Sequence, residues 1–308
     1  MILQQRSKFR QKTFLRLWQL YAMVLPAVVL LAIFSYYPMY GVILAFKDFK
    51  ILKGIMDSPW VGIKYFEQAF NDSYFWMTFR NSLIISSYKL FFGFPVPIVF
   101  ALLLNELRSS TFRRFTQTVA YLPHFMSWVI LGAIFVSVFS LNGPINVILS
   151  FFGIDPILFM GDKKVFRGVL VVTDIWKGFG YGSVIYLAAI SGVDPQLYES
   201  SRIEGANRLQ NAWYITIPSV LPVISINLIL SLSGILNAGF DQIFNLYNDA
   251  VMPVADIIDT YVYRKGLREM QYSYSTAIGL FKSIISLSMI GVTNTLVKRL
   301  SGKENALW

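Results

Sequence analysis

Tyr198-Glu199-Ser200-Ser201-Arg202-Ile203-Glu204-Gly205-Ala206, running on through Trp213-Tyr214-Ile215-Thr216-Ile217-Pro218, is a charged and largely polar stretch between two long apolar runs. Glu199 and Arg202 stand three residues apart, Glu204 and Arg208 four apart, and two such pairs predict a surface helix. Gly205 interrupts it, and Pro218 and Pro222 mark the entry into the next apolar run. A chain made mostly of apolar segments has few reasons to keep so long a polar insert, and its reading decides the rest.

The composition agrees that the surroundings are lipid. The chain has 308 residues, 55% hydrophobic and 14% charged, with a mean hydropathy of +0.54. A soluble domain is about 25% charged. Twenty-six Phe, 17 Tyr and 7 Trp suit extensive contact with a bilayer and its interfaces. There is no Cys, so disulfides and thiolate metal sites are excluded, and the single histidine, His124, excludes a multi-His metal centre. His124 follows Pro123 near an expected membrane boundary and is read as structural. A net charge of +10 would suggest nucleic acid in a soluble protein; here it is read as a topology signal.

The spacing Glu199-Ser200-Ser201, three residues, Gly205, nine residues, Ile215-Thr216-Ile217-Pro218 resembles the E-A-A…G…I-x-L-P signature of permease subunits of binding-protein-dependent ABC importers. Ser-Ser stands for Ala-Ala and Ile217 for Leu, both keeping small or apolar character. The resemblance implies the type I importer permease fold, an all-α integral membrane protein of six transmembrane helices. In that family the signature is a cytoplasmic coupling-helix segment that sits in a cleft of the ATPase subunit. It assigns coupling to Glu199, Ser200, Ser201, Glu204, Gly205, Ala206, Ile215 and Pro218.

The apolar runs fit that count. A basic amino terminus at residues 1–19 precedes a single transmembrane domain at 20–297, with the coupling segment at about 195–215 and a tail at 298–308. Spans are expected near 20–46, 81–104, 118–141, 166–193, 218–238 and 275–297, each long enough for about 30 Å of hydrocarbon. Residues 145–152 are too short to cross and read as interfacial or re-entrant, and residues 242–272 read as a long loop. The side bearing both termini carries thirteen Lys and Arg against ten on the other, packed into short segments. Both termini and the polar insert are therefore expected in the cytoplasm.

Arg80, Lys89, Asp174, Lys177 and Lys282 fall in or near spans. Arg80 can snorkel from a boundary; each of the others costs roughly 2.5–3.5 kcal/mol on insertion scales unless paired or wet. Either they are buried structural ion pairs or they line a path, and for Lys89 and Lys282 that choice stays open. Asp174, Lys177, Gly178 and Tyr181 are spaced i, i+3, i+4, i+7 and share a helical face, where Asp174 and Lys177 would partly neutralise each other; Trp176 points elsewhere. Such a stripe suits a hydroxylated ligand, yet by chemistry alone it could also line an ion path.

The resemblance favours sugar. Counted from the signature, those four residues match positions where maltose-type permeases contact sugar, and Ser231, Gly234, Ile235 and Ala238 fall on the corresponding face of the fifth span, with Asn237 and Asp241 beside them. Tyr37-Pro38-Met39-Tyr40-Gly41, Gly239-Phe240-Asp241-Gln242 and Asp256-Ile257-Ile258-Asp259 resemble the branch for polysaccharide or complex-oligosaccharide import.

The implied function is a permease for a carbohydrate delivered by an extracytoplasmic binding protein, in a bacterial inner membrane. Its partners would be a second, different permease subunit, two cytoplasmic ATPase subunits, the binding protein and membrane lipid, but no nucleic acid. No G-x-x-x-x-G-K-[ST] occurs, so ATP and Mg would be bound by the partner subunits, leaving this chain without cofactor, metal or catalytic residue. The alternatives are a permease for a small sugar or glycerol phosphate, and a secondary transporter, which leaves the 199–218 pattern unexplained. A membrane enzyme lacks a visible reactive centre.

Overall fold

Long apolar runs in lipid must satisfy their backbone polar groups internally, which leaves helices or closed barrels. This chain takes helices. The computed structural model describes residues 2–301; Met1, residues 302–308 and the side chains of 2–16, 296, 297 and 299–301 lie outside the described residues. The expected tail at 298–308 and the basic side chains of the amino terminus therefore fall largely outside them. Among the described residues no strand forms, only isolated bridges between Lys47 and Trp60 and between Lys50 and Gly54.

Four helices are long and apolar enough to cross a membrane: Leu17–Phe46, Ser73–Asn105, Arg208–Ser233 and Tyr272–Thr295. The helix Phe166–Ser191 has 26 residues, about 39 Å at 1.5 Å per residue, and carries Asp174 and Lys177 near its middle. The expected third span, 118–141, is not one helix. Ser110–Phe125 and Trp128–Val138 meet at a bend of 103°. Pro123 sits in the last turn before the break, Met126 is extended, and Ser127 caps the second helix by accepting from the Ile130 N–H at 3.4 Å.

Prolines shape the second span too. Pro95 and Pro97 supply no N–H, and the helix widens into a π turn at Lys89–Gly93 just before them. The helix expected as the fifth span begins earlier, through a π turn at Ala212–Thr216, and ends at Ser233; residues 234–239 leave the helix. Its expected end at 238 is thus corrected.

The helices pack through three apolar clusters. Ala101, Tyr186, Ile190 and Val220 join Ser73–Asn105, Phe166–Ser191 and Arg208–Ser233. Close approach needs small residues there: a Cβ on Gly180 would lie 2.1 Å from the Ala120 carbonyl oxygen, so the backbones of Ser110–Tyr121 and Phe166–Ser191 touch. A second cluster joins Phe75, Leu236, Ile258, Tyr261, Tyr274 and Ile278. The third holds Leu131, Phe135, Phe166, Leu170, Ile243, Leu246 and Ile257.

Those last names correct the reading of 242–272 as a loop. The segment contains the helices Phe240–Leu246, Met252–Ala255 and Ile258–Tyr263, and Gln242, Ile243, Asp256, Ile257 and Ile258 are fully buried. Buried charge here is paired: Asp256 accepts from Arg264 at 2.6 Å, Tyr74 at 2.7 Å and Thr260 at 2.7 Å. Beside it Asp72 caps the Ser73–Tyr88 helix and accepts from Tyr261 at 2.6 Å. Burial alone would raise the Asp72 carboxyl, but the Tyr261 hydroxyl and the Tyr74 N–H hold it below the usual carboxylate range. The Tyr261 hydroxyl is pushed up by burial and by that carboxylate.

Candidate functional site

The polar insert forms two short helices at an exposed turn. Pro195–Ile203 starts with Asp194 as cap, accepting from the Gln196 N–H at 2.9 Å. It ends in a left-handed residue, Gly205, at φ +83°. The Gly205 N–H donates to the Arg202 carbonyl at 3.1 Å and the Ala206 N–H to the Ser201 carbonyl at 2.9 Å, the two bonds of a Schellman motif. The signature glycine is thus the residue that lets the helix stop. Asn207 and Gln210 then form a capping box and start Arg208–Asn211.

The ion pairs expected along this helix do not form. Glu204 lies at the helix end, and Arg208 reaches Glu106 instead, at 3.5 Å. Among the described residues no ion pair joins Glu199 to Arg202; Glu199 is exposed. The i,i+4 rule presumes an unbroken helix, and Gly205 breaks it. Ser200 and Ser201 donate back to the carbonyls of Leu197 and Tyr198 at 3.1 and 3.0 Å. Ile215 lies in the π turn, and Pro218, which supplies no N–H, follows that turn closely, as Pro95 follows the π turn at Lys89–Gly93.

One contact bridges the insert. The Tyr198 and Thr216 hydroxyls meet at 2.9 Å, tying the first short helix to the turn that leads into the fifth span. Ile203, Leu209, Trp213 and Tyr214 stay exposed around it. Behind them a cavity of about 670 Å³ is lined by Glu106, Arg108, Tyr198, Glu199, Arg202 and Arg208 among others.

The membrane charges are arranged otherwise than their spacing suggests. Asp174 pairs with Lys89, at 3.1 Å, not with Lys177. The Lys89 ammonium also donates to the Ala238 carbonyl at 2.8 Å and to the Gln242 side-chain oxygen, so its three donors are used. Gln242 is fixed in turn by donating to the Leu170 carbonyl and the Thr173 hydroxyl, both at 2.7 Å. Gly239, left-handed at φ +93°, passes so close that a Cβ there would lie 2.9 Å from the ammonium nitrogen. Lys282 pairs with Asp259.

Lys177 turns the other way. It donates to the His124 and Met126 carbonyls at 2.9 and 2.7 Å and lies over the Trp128 ring. Those carbonyls belong to the 103° break, where a helix end leaves acceptors unused. Tyr181 stacks on His124 with ring centroids 4.0 Å apart and planes 8° apart. The expected stripe therefore divides: Asp174 faces one side, while Lys177 and Tyr181 clasp the bend. Gly178 is half-buried with nothing within 4 Å of an added Cβ. Trp176 packs edge-on against Phe135.

Around Asp174 a cavity of about 260 Å³ is lined by Ser86, Lys89, Leu90, Phe94, Ser231, Gly234, Ile235, Asn237 and Gly239. Four expected residues of the fifth span, Ser231, Gly234, Ile235 and Asn237, thus meet Asp174. Ala238 does not: it is fully buried and contributes only its carbonyl, because the helix has ended and the chain has turned inward. Asp241 is exposed at the start of Phe240–Leu246. Two residues join this site beyond the expected set: Ser86, buried with no hydrogen-bond partner for its hydroxyl, and Gln242, which the sequence offers only within a family-like stretch. Among the described residues no three His, Asp or Glu side chains converge to hold a metal ion.

Residues 93–302 match the model of the family described as binding-protein-dependent transport system inner membrane component. The chain is 42% identical over 298 residues to the polygalacturonan/rhamnogalacturonan transport system permease protein YteP of Bacillus subtilis (strain 168), covering 96% of this chain and 93% of that one. A crystal structure of a bacterial ABC transporter involved in the import of the acidic polysaccharide alginate contains a chain with TM-score 0.86 and 38% identity, covering 94% and 99%. A second, of the bacterial alginate transporter in complex with an alginate pentasaccharide-bound periplasmic protein, matches with TM-score 0.86 and 38% identity over 95% and 98%.

Proposed function

The chain belongs to the family of inner membrane components of binding-protein-dependent transport systems, and from that premise we propose that it is the permease of an ATP-driven importer of an oligo- or polysaccharide. The observation that carries the carbohydrate assignment is the near-full-length likeness to permeases of polygalacturonan and alginate transport. An extracytoplasmic binding protein delivers the substrate, in keeping with the periplasmic protein bound to the alginate transporter. A second permease subunit completes the pathway, and two separate ATPase subunits bind ATP and Mg.

In this reading the chain crosses the membrane six times, the bent pair and the Phe166–Ser191 helix supplying the third and fourth crossings. Both termini and residues 195–215 face the cytoplasm. Closure of the ATPase subunits pushes on Pro195–Ile203, whose Schellman turn and Tyr198–Thr216 bond transmit the push to the fourth and fifth spans. A rigid connection matters here because a lever that bends loses its stroke.

The cavity around Asp174 forms part of the wall of the path. Asp174 and Ser231 offer oxygen and Asn237 an amide, which suits hydroxyl-bearing sugar. Lys89, with its donors used, balances the Asp174 charge without itself offering a hydrogen bond. Lys177 and Tyr181 shape the path by holding the bend.

The test is reconstitution with the partner subunits and the binding protein in vesicles. Galacturonan or alginate oligosaccharides should stimulate ATP hydrolysis and accumulate inside. Stimulation by a monosaccharide or glycerol phosphate alone would replace the substrate assignment. Uptake driven by an ion gradient without ATP would overturn the class.

A further inference from the structure

We propose that residues 50–63 form an anchor seated in the lipid–water interface at the carboxyl end of the first span. Five large apolar side chains in this short segment, Ile51, Leu52, Met56, Trp60 and Ile63, are between 60% and 100% exposed, Leu52 completely. The segment is nevertheless tightly built. The Lys50 N–H donates to the Ser58 hydroxyl at 3.0 Å, and that hydroxyl donates to the Gly54 carbonyl at 2.6 Å. The buried Lys47 ammonium caps the Ile55 and Met56 carbonyls at 2.8 and 2.7 Å. Left-handed glycines at 54 and 62, with φ +70° and +61°, turn the chain at both ends. A turn this well bonded holds its apolar side chains outward as a fixed feature.

Its position says what covers them. The Val61 N–H donates to the Phe46 carbonyl, the last residue of the apolar Leu17–Phe46 helix, at 2.9 Å. Phe49 meets Tyr272, the first residue of another candidate span, edge-on at 5.7 Å, and its N–H donates to Ser273 at 3.0 Å. The segment therefore lies level with the ends of two membrane helices. Lys50, Lys53 and Lys64 are exposed around the apolar set, with Asp57 the single exposed acid within residues 50–63. Apolar and Trp side chains ringed by lysines match the acyl–headgroup boundary, where the rings and chains enter lipid and the ammonium groups reach phosphate. The occupant is the membrane surface itself.

The absence of cysteine allows a clean test. Nitroxide labels are placed at Leu52→Cys and Met56→Cys, with Gln68→Cys on the exposed face of Lys64–Asn71 as the aqueous reference. The full chain, assembled with its partner subunits, is reconstituted in phosphatidylethanolamine–phosphatidylglycerol vesicles. Power-saturation spectra compare collisions with oxygen, which concentrates in lipid, and with a neutral nickel chelate, which stays in water. Labels at 52 and 56 should show a several-fold higher oxygen-to-nickel ratio than the label at 68. An equal ratio would overturn the anchor in favour of a water-facing turn. Shielding from both reagents would overturn it in favour of a protein partner, either the second permease or, if it appears only on adding it, the binding protein.

Discussion

The Lys89 ammonium meets the Asp174 carboxylate at 3.1 Å across 85 residues of chain, while Lys177, one helical turn from Asp174, bonds to the carbonyls of a broken helix. The two lysines should therefore fail differently. Lys89→Met leaves Asp174, the Ala238 carbonyl and Gln242 without their donor, at about 1–3 kcal/mol for each group that stays buried and unpaired. Asp174 is 40% exposed, so water recovers part of its share. In thermal unfolding of the assembled complex, Lys89→Met and Asp174→Asn should couple by about 0.5–3 kcal/mol, whereas Lys177→Met and Asp174→Asn, which share no hydrogen bond, should couple more weakly. Coupling with Lys177 instead would mean that the pair along the helix is the real one.

Gly205 has open space around an added Cβ but a left-handed backbone. Substitution should act through strain, not collision. Gly205→Ala should cost about 1–2 kcal/mol at the end of Pro195–Ile203, and Gly205→Asn less, since Asn tolerates this conformation. Substrate-stimulated ATP hydrolysis should fall in the order Gly, Asn, Ala, with the permease still inserted. Equal loss in Asn and Ala would point to contact with the ATPase surface as the cause.

Tyr198→Phe and Thr216→Val each remove one side of the hydroxyl contact that spans the insert. Each should cost about 1 kcal/mol locally. Stimulated hydrolysis should uncouple from uptake in both single variants, and the double variant should be little worse than either. Independent, additive losses would separate these residues from the lever.

The Asp72 carboxyl is held below its ordinary value near 3.8 by the Tyr261 hydroxyl and the Tyr74 N–H, against the upward pull of burial. A depressed carboxyl stabilises the fold above its unfolded value, and that stability is lost as pH falls through the folded value. Acid should therefore loosen the packing of Ser73–Tyr88 on Ile258–Tyr263 below about pH 4. Asp72→Asn should lower the melting temperature at pH 7 and flatten its dependence on acid pH. An unchanged acid limb would place the sensitive carboxyl elsewhere.

Topology is open to the same cysteine chemistry. A cysteine at Ser200 should resist an impermeant maleimide in intact cells, and one at Asp249, exposed on the opposite side in the proposed orientation, should react. The reverse pattern would invert the orientation.

The polar insert was legible because its information is local. Glycine, proline and capping residues act within a few positions, so the stop at Gly205 could be read from spacing alone, whereas the helix expected from Pro218 already begins at Arg208. The charges were legible as costs but not as partners: periodicity placed Asp174 beside Lys177, and nothing in one helix announces a lysine from another. Residues 242–272 misled for a related reason. The short helices Phe240–Leu246, which carries Gln242, and Met252–Ala255, which ends at Asp256, look like loop because these buried polar groups are satisfied by Lys89, Tyr74 and Arg264, which the folded chain brings to them. The third span misled through Pro123 and Ser127, ordinary residues individually, whose break is stabilised from outside by Lys177.

Gly180 imposes a condition on any motion of the protein. With the Ala120 carbonyl where a methyl group would be, Phe166–Ser191 and Ser110–Tyr121 have no side-chain layer between them to shear. Sliding one past the other would drive Ala120 against the flanking turns of its neighbour, which favours movement of the two together. In the proposed function, a displacement arriving at Pro195 would reach Ser110–Tyr121 through this contact as well as Phe166–Ser191 itself. Position 180 thus works as a weld between two helices, and a single methyl group there would be enough to open the joint.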